Sequence, residues 1–300
     1  MRRALILSGG GCKGAFEVGA VEYLVKKAKL DFQIFLGSSV GALNAAVLGL
    51  AADFAQLGAA VTKLKTLWET IRGNQSIYQR FPLGLLDLFT HHGLCNPIGL
   101  RQLIHKYIDP YKLCHNPAKF ILIPAVAIET GELFYADSRN PAFENVILDY
   151  ILASASVPLF FPPVKINGKH WYDGCLRDVT PLAAAFKEQS DEITVVLTFP
   201  VNDNLEPILS TVPYGGVLKS LIRIVSIMTN EISANDLQLT RFVNLRQGLF
   251  PLRKRIRIQI IAPRTHLCGS LLDFSPQKIR ENIRLGYEAA QNCRTLVINS

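Results

Sequence analysis

The chain of 300 residues has no apolar run that reads as a membrane span. Its longest candidate, Gly41 to Ala60, is broken by Asn44, Asp53 and Gln56, and its alanines and glycines suit close helix packing better than lipid. The start, Met1-Arg2-Arg3 followed by Ala4 to Leu7, lacks the apolar core of a secretory signal, so a cytoplasmic protein, at most peripheral at membranes, is expected. Six cysteines, at 12, 95, 114, 175, 268 and 293, include no C-x-x-C pair, which indicates neither a zinc site nor a disulfide framework. Lys13 is followed by Gly14, not by Ser or Thr, so there is no Walker phosphate loop, and no nucleic-acid motif is recognisable. Neither a metal nor a cofactor is called for.

What is present describes one globular domain over residues 1–300, with 49% hydrophobic and 19% charged residues and no break in composition. The net charge of +8 favours contact with anionic surfaces, acidic lipid head groups or nucleic acid, and charge alone does not choose between them. Arg253, Lys254, Arg255 and Arg257 form the one basic cluster, and a solvated face accounts for most of the other basic residues.

Hydrophobic patterning alternates strands with helices. Ala4 to Leu7 and Phe32 to Leu36 read as buried strands, each followed by a glycine turn and a helix, Ala15 to Lys29 and Ala42 to Leu50, with helix continuing over Val61 to Ile71. Further strands are expected at Phe120 to Ile128, Leu133 to Tyr135, Ile193 to Phe199 and Ile256 to Ile261. Asn96-Pro97, Asn140-Pro141, Thr180-Pro181 and Ser275-Pro276 mark helix starts, the last opening a helix to Asn292. The result is an α/β domain with a central, mostly parallel sheet. Gln75 to Asn96 breaks the pattern while collecting Tyr78, Phe81, Leu83, Leu86 and Phe89; it is a core connection, the commoner case, or a greasy lid. Val217 to Met228 is a helix apolar on most sides, with Lys219 and Arg223 on a polar stripe.

Gly37-Ser38-Ser39-Val40-Gly41 is a G-x-S-x-G stretch between a strand and a helix, the setting of a nucleophile elbow, and makes Ser39 the candidate nucleophile with Gly37 and Gly41 giving room for close chain approach. Gly9, Gly10, Gly11, Cys12, Lys13 and Gly14 also fit a dinucleotide turn, but the second strand ends in Gly37-Ser38-Ser39 with no acidic residue to hold a ribose. The same turn serves as an oxyanion hole, with side-chain-free N–H groups beside Ser39. For a base, the six histidines (91, 92, 105, 115, 170, 266) have no distinguished setting; His266 alone follows Asp173 in the order that α/β-hydrolases use. Asp173, with Gly174 on a turn after Trp171-Tyr172, is the other candidate, provided an apolar setting raises its proton affinity above the ordinary carboxylate value of about 3.9.

These three turns in this order, together with the block Ala153-Ser154-Ala155-Ser156-Val157-Pro158-Leu159-Phe160-Phe161-Pro162-Pro163, resemble the patatin-like phospholipase family, from the N-terminus to about Pro181. The resemblance implies a three-layer α/β/α patatin-like fold and a Ser39–Asp173 dyad. It also implies an oxyanion hole from the Gly9 to Gly14 turn and hydrolysis of acyl esters in membrane phospholipids. Cys175 stands where family members often carry Gly or Ala. A soluble ester or thioester hydrolase, an acyltransferase of the same architecture, and a non-catalytic lipid-binding protein remain as alternatives.

Overall fold

The computed structural model describes residues 1–208, 215–247 and 256–292. Arg253, Lys254, Arg255 and Cys293, and the side chains of Leu85, Leu88 and Lys219, lie outside the described residues. In chain order the elements begin β1 (Arg3–Leu7), α1 (Gly14–Lys26), β2 (Ile34–Gly37), α2 (Val40–Gly49) and α3 (Phe54–Thr70). An irregular excursion follows, with β3 (Gln79–Arg80), α4 (Asp87–Thr90) and β4 (Cys95–Asn96), then α5 (Ile98–Tyr107) and α6 (Pro110–Cys114). The rest comprises β5 (Phe120–Ala127), β6 (Leu133–Asp137), α7 (Ile147–Ser154), β7 (Val164–Ile166), β8 (Lys169–Asp173), α8 (Leu182–Lys187), β9 (Glu192–Val196), α9 (Val217–Gln247), β10 (Arg257–Ile261) and α10 (Pro276–Gln291).

The main sheet runs β10-β9-β1-β2-β5-β8-β7, with β6 on β5. β10, β9, β1, β2 and β5 are mutually parallel, and β6, β8 and β7 are antiparallel additions. Period-2 alternation on the central strands divides the core. Leu5, Leu7 and Phe35 face the larger cluster, which includes Val21 of α1, Leu48 of α2, Leu64 of α3 and Ile283 of α10. Ala4, Ile6, Ile34 and Leu36 face the other, with Leu182 of α8 and Leu237 of α9. Helices therefore cover both faces, and each buried aliphatic side chain contributes about 1.5–3 kcal/mol.

The strand and helix expectations hold to within a few residues, except that the helix expected over Val217 to Met228 runs on to Gln247, and three further corrections apply. The helix expected to continue through Val61 is separate from α2: Asp53 caps α3 by accepting from the Gln56 N–H at 2.8 Å. Asn140-Pro141 starts only a 3₁₀ turn, Pro141–Phe143, although Asn140 does accept from the Ala142 N–H. In the excursion the core assignment fails for Leu83, Leu86 and Phe89, which are exposed, while Tyr78 is buried.

The register around β5 positions everything that follows. Leu122 pairs with Leu36 of β2 and with Asp137 of β6, while Ala125 pairs with Asp173 of β8 and with Phe134 of β6. β2 and β8 therefore occupy the same edge of β5. They run towards each other, and their C-terminal ends meet opposite Ile123 and Pro124. A parallel strand carrying Ser39 and an antiparallel strand carrying Asp173 thus converge head-on. Gly174 permits this approach, since a Cβ there would sit 2.5 Å from the Pro124 carbonyl oxygen.

Candidate active site

Ser39 lies between β2 and α2 with φ 56° and ψ −131°, a conformation that costs a non-glycine residue about 1–3 kcal/mol and persists only where the surroundings enforce it. The enforcement is visible. A Cβ on Gly37 would lie 2.1 Å from the Gly41 oxygen, and one on Gly41 would lie 2.3 Å from the Leu7 oxygen. The Ser39 N–H donates to Ser154 Oγ at 3.2 Å, and the serine is 5% exposed.

Asp173 ends β8 and is 3% exposed. Its N–H donates to the Ser156 carbonyl at 3.1 Å, and its Oδ1 accepts from the Cys175 N–H at 2.8 Å. Burial pushes its carboxyl up to about 6, opposed by the Cys175 N–H and the neighbouring Ser39 hydroxyl. The Ala153 to Pro163 block ties the two together, Ser154 holding the elbow and Ser156 the aspartate strand. Cys175 is buried and its thiol is pushed well up by burial and by the adjacent Asp173; both its backbone N–H and its thiol touch the Asp173 carboxyl.

In the glycine turn, Gly9, Gly10 and Gly11 have φ of 72°, 117° and 59°. The Gly9 N–H donates to Glu17 Oε1 at 2.7 Å, that of Cys12 to the Leu271 carbonyl at 2.9 Å, and that of Lys13 to the Gly10 carbonyl at 3.2 Å. The Gly14 N–H turns back onto the Gly11 carbonyl. Among the described residues, the N–H groups of Gly10 and Gly11 are the two in this turn that no acceptor takes up.

One pocket gathers these parts. Gly9, Gly10, Gly11, Lys13, Ser39 and Asp173 line it; Cys12 and Gly14 do not. Cys12 is fully buried and its thiol, pushed up to about 12 mainly by burial, faces the Ser270 carbonyl. Lys13 has its ammonium pKa lowered by burial. The remaining walls are mostly apolar, with Leu43, Leu67, Ile71, Leu100, Leu103 and Phe161 from helices and the 153–163 block, closed by Val225 and Thr229 of α9. No histidine lines it; His170 pairs with Glu129 at 2.7 Å, and His266 is exposed. Among the described residues no cluster of His, Cys, Asp and Glu suits a metal ion.

Sequence reasoning missed three contributors. Ser154 sat in a block noted only for its resemblance. Glu17 is fully buried with its carboxyl raised to about 8 by burial, and nothing local names its partners. Thr198 lies just beyond β9 with nothing around it to single it out, yet it lines the pocket. The one available signal was a glutamate on the apolar side of α1.

A mostly parallel α/β sheet with a serine on a strand–helix elbow and a glycine turn after its first strand defines the class. The chain belongs to the patatin-like phospholipase family, whose description it matches over residues 5–186. It is 26% identical over 209 residues to the uncharacterized protein YjjU of Escherichia coli strain K12, a match covering 66% of this chain and 52% of that protein. This chain therefore accounts for about half the length of that curated relative. A structural match to VipD from Legionella pneumophila covers 97% of this chain and 66% of the other, at 13% identity and a TM-score of 0.43.

Proposed function

We propose that this protein is a lipid acyl hydrolase, of the phospholipase A or lysophospholipase type, in which Ser39 is the nucleophile and Asp173 its general base. The observation that carries this reading is the head-on meeting of β2 and β8, which puts both residues in one apolar pocket beside the Gly10 and Gly11 N–H groups, which no acceptor among the described residues takes up. An aspartate at its ordinary pKa is a feeble base, and one raised to about 6 is ionised at neutral pH yet a better proton acceptor. Asp173 takes the hydroxyl proton as Ser39 Oγ attacks the ester carbonyl. The oxygen gains negative charge, held by the two N–H groups, and collapse of the tetrahedral intermediate expels the alcohol, which leaves with the proton from Asp173. Water then attacks the acyl-serine by the same steps, releasing the fatty acid. Each oxyanion donor is worth about 2.7–4 kcal/mol in the transition state.

The apolar walls accept an acyl chain, and the basic chain with its exposed Leu86, Phe89, Ile224 and Ile227 suits work at an anionic membrane surface. No helix among the described residues is long and apolar enough to cross a membrane. The whole of residues 1–300 acts as one domain. The test is fatty-acid release from mixed phosphatidylcholine and phosphatidylglycerol vesicles, with Ser39→Ala alongside. Release that disappears in the variant supports the proposal, and release that persists in it removes Ser39 from the mechanism.

A further inference from the structure

The Gly9–Gly10–Gly11 turn is held from beneath by side chains of other elements. A trans peptide group is planar, with its C=O and N–H pointing in opposite directions, so whatever fixes a carbonyl also aims the N–H of the next residue. The Gly9 carbonyl accepts from Thr198 Oγ1, and the Gly10 carbonyl accepts from the Lys13 N–H at 3.2 Å. The first bond therefore fixes the Gly10 N–H and the second the Gly11 N–H. The chain has no cis peptide among the described residues, so this antiparallel relation holds at both.

Sheet order gives the direction. Thr198 follows β9, which pairs with β1 on the side opposite β2. A clamp pulling the Gly9 carbonyl towards β9 turns the Gly10 N–H towards β2, where Ser39 stands. Thr198 is itself well fixed: its N–H donates to Ser8 Oγ at 3.2 Å, and it is 5% exposed. The absence of a side chain at Gly10 is what lets the hydroxyl come close, since a Cβ there would lie 2.6 Å from Thr198 Oγ1.

The preceding peptide is secured separately. The Gly9 N–H donates to Glu17 Oε1, and Glu17 Oε2 accepts from Asn44 Nδ2 at 2.8 Å. Trp68 Nε1, which can only donate, reaches Asn44 Oδ1 at 2.9 Å and so fixes the asparagine amide in that orientation. The turn is thereby anchored to α1, α2 and α3, which leaves Thr198 to set one torsion and not the fold.

We propose that Thr198 is a positioning residue, whose hydroxyl on the Gly9 carbonyl aims the Gly10 N–H at the developing oxyanion beside Ser39. This rests on the Ser39–Asp173 reading above. Removing an oxyanion donor outright costs about 10²–10³ in kcat, and a misaimed donor loses part of that. Thr198→Val, nearly isosteric but without the hydroxyl, is expected to lower kcat on a short-chain nitrophenyl ester about 10- to 100-fold with KM nearly unchanged. Thr198→Ser, which keeps the hydroxyl, restores kcat to within about threefold, an allowance for the lost methyl group.

Wild type, Ser39→Ala, Thr198→Val and Thr198→Ser are assayed together, with thermal unfolding of each. Turnover that requires Ser39, falls in the valine variant and returns in the serine variant supports the assignment. Turnover that requires Ser39 but is unchanged in Thr198→Val overturns it and leaves the dyad standing. A fall in both Thr198 variants accompanied by a large drop in melting temperature also overturns it, in favour of a structural role. Turnover that does not require Ser39 defeats the functional reading, and the Thr198 assignment falls with it.

Discussion

The carboxyl ends of the central strands and the outer wall of the molecule formed by the 79–96 excursion and α9 are built in opposite ways. At the strand ends, Ser39, Asp173 and the glycine turn are buried and bonded through backbone groups to β1, β9 and the 153–163 block. That outer wall presents Leu83, Leu86, Phe89, Ile224, Ile227 and Met228 to solvent. One region is buried and tied down by hydrogen bonds from neighbouring elements. The other offers exposed apolar surface, which suits contact with a partner that is itself fluid. On the function proposed above, chemistry and lipid recognition are separated, and each side of this comparison can be attacked alone.

The largest effect belongs to the strand ends. Ser39→Ala and Asp173→Asn should each lower turnover at least about 10³-fold on vesicles and on soluble esters alike, with the fold retained by circular dichroism. An Asp173→Asn protein with near-normal turnover would remove the dyad and reopen the question of the base.

Glycine substitutions sharpen the contrast in stability. Alanine at Gly37 places its Cβ 2.1 Å from a backbone oxygen that has no room to retreat, and is expected to destabilise the fold by about 3 kcal/mol or more in urea unfolding. Gly84 in the excursion has φ +63° but open space around it, so Gly84→Ala carries only the backbone penalty of about 1–2 kcal/mol. Equal losses at the two sites would mean that the wall is as tightly determined as the strand ends.

Much of this division was already legible in the sequence. The G-x-S-x-G elbow, the glycine turn and Asp173-Gly174 are local patterns whose geometry follows from residue type, so their strand–turn–helix setting could be read directly. The strand order could not be read, because pairing of β8 beside the end of β2 depends on which edge of β5 each takes, and nothing local records that. Glu17 and Thr198 bond to a turn 8 and 189 residues away in the chain, so apart from Glu17's place on the apolar side of α1 their neighbours in sequence carry no trace of the contact. The fate of Leu86 and Phe89 was likewise open, since an apolar residue reads the same whether it is covered or bare.

The Asp173 carboxyl gives a smaller, pH-dependent test. Its folded value of about 6 stands above the ordinary 3.8, so the folded protein holds the proton more tightly than the unfolded chain does. The associated stability is fully present below about pH 4 and is lost as pH rises to about 6, which amounts to about 2–3 kcal/mol at neutral pH. Asp173→Asn should therefore melt higher than wild type at pH 8, and the gap should close by pH 4. Turnover of the wild type should fall about tenfold per pH unit below about 6, as the base becomes protonated. An acid limb that lies near 4 would mean that burial does not raise Asp173.

The smallest effects belong to the wall, and they decide whether it meets lipid at all. A side chain that moves from water into a bilayer surface gains in proportion to the apolar area covered, so removing one exposed Phe or Ile there costs about 1 kcal/mol, or about fivefold in vesicle binding. Phe89→Ser and Ile227→Ser should each slow vesicle hydrolysis by about that factor, while kcat and KM on a short-chain soluble ester stay unchanged. The two substrates distinguish the possible roles of this surface. Loss on both would show that the wall shapes the pocket that holds the acyl chain. Loss on neither would show that this apolar face is not where the enzyme meets the membrane. Loss on vesicles alone would establish that the protein binds its lipid with one region and cleaves it with the other.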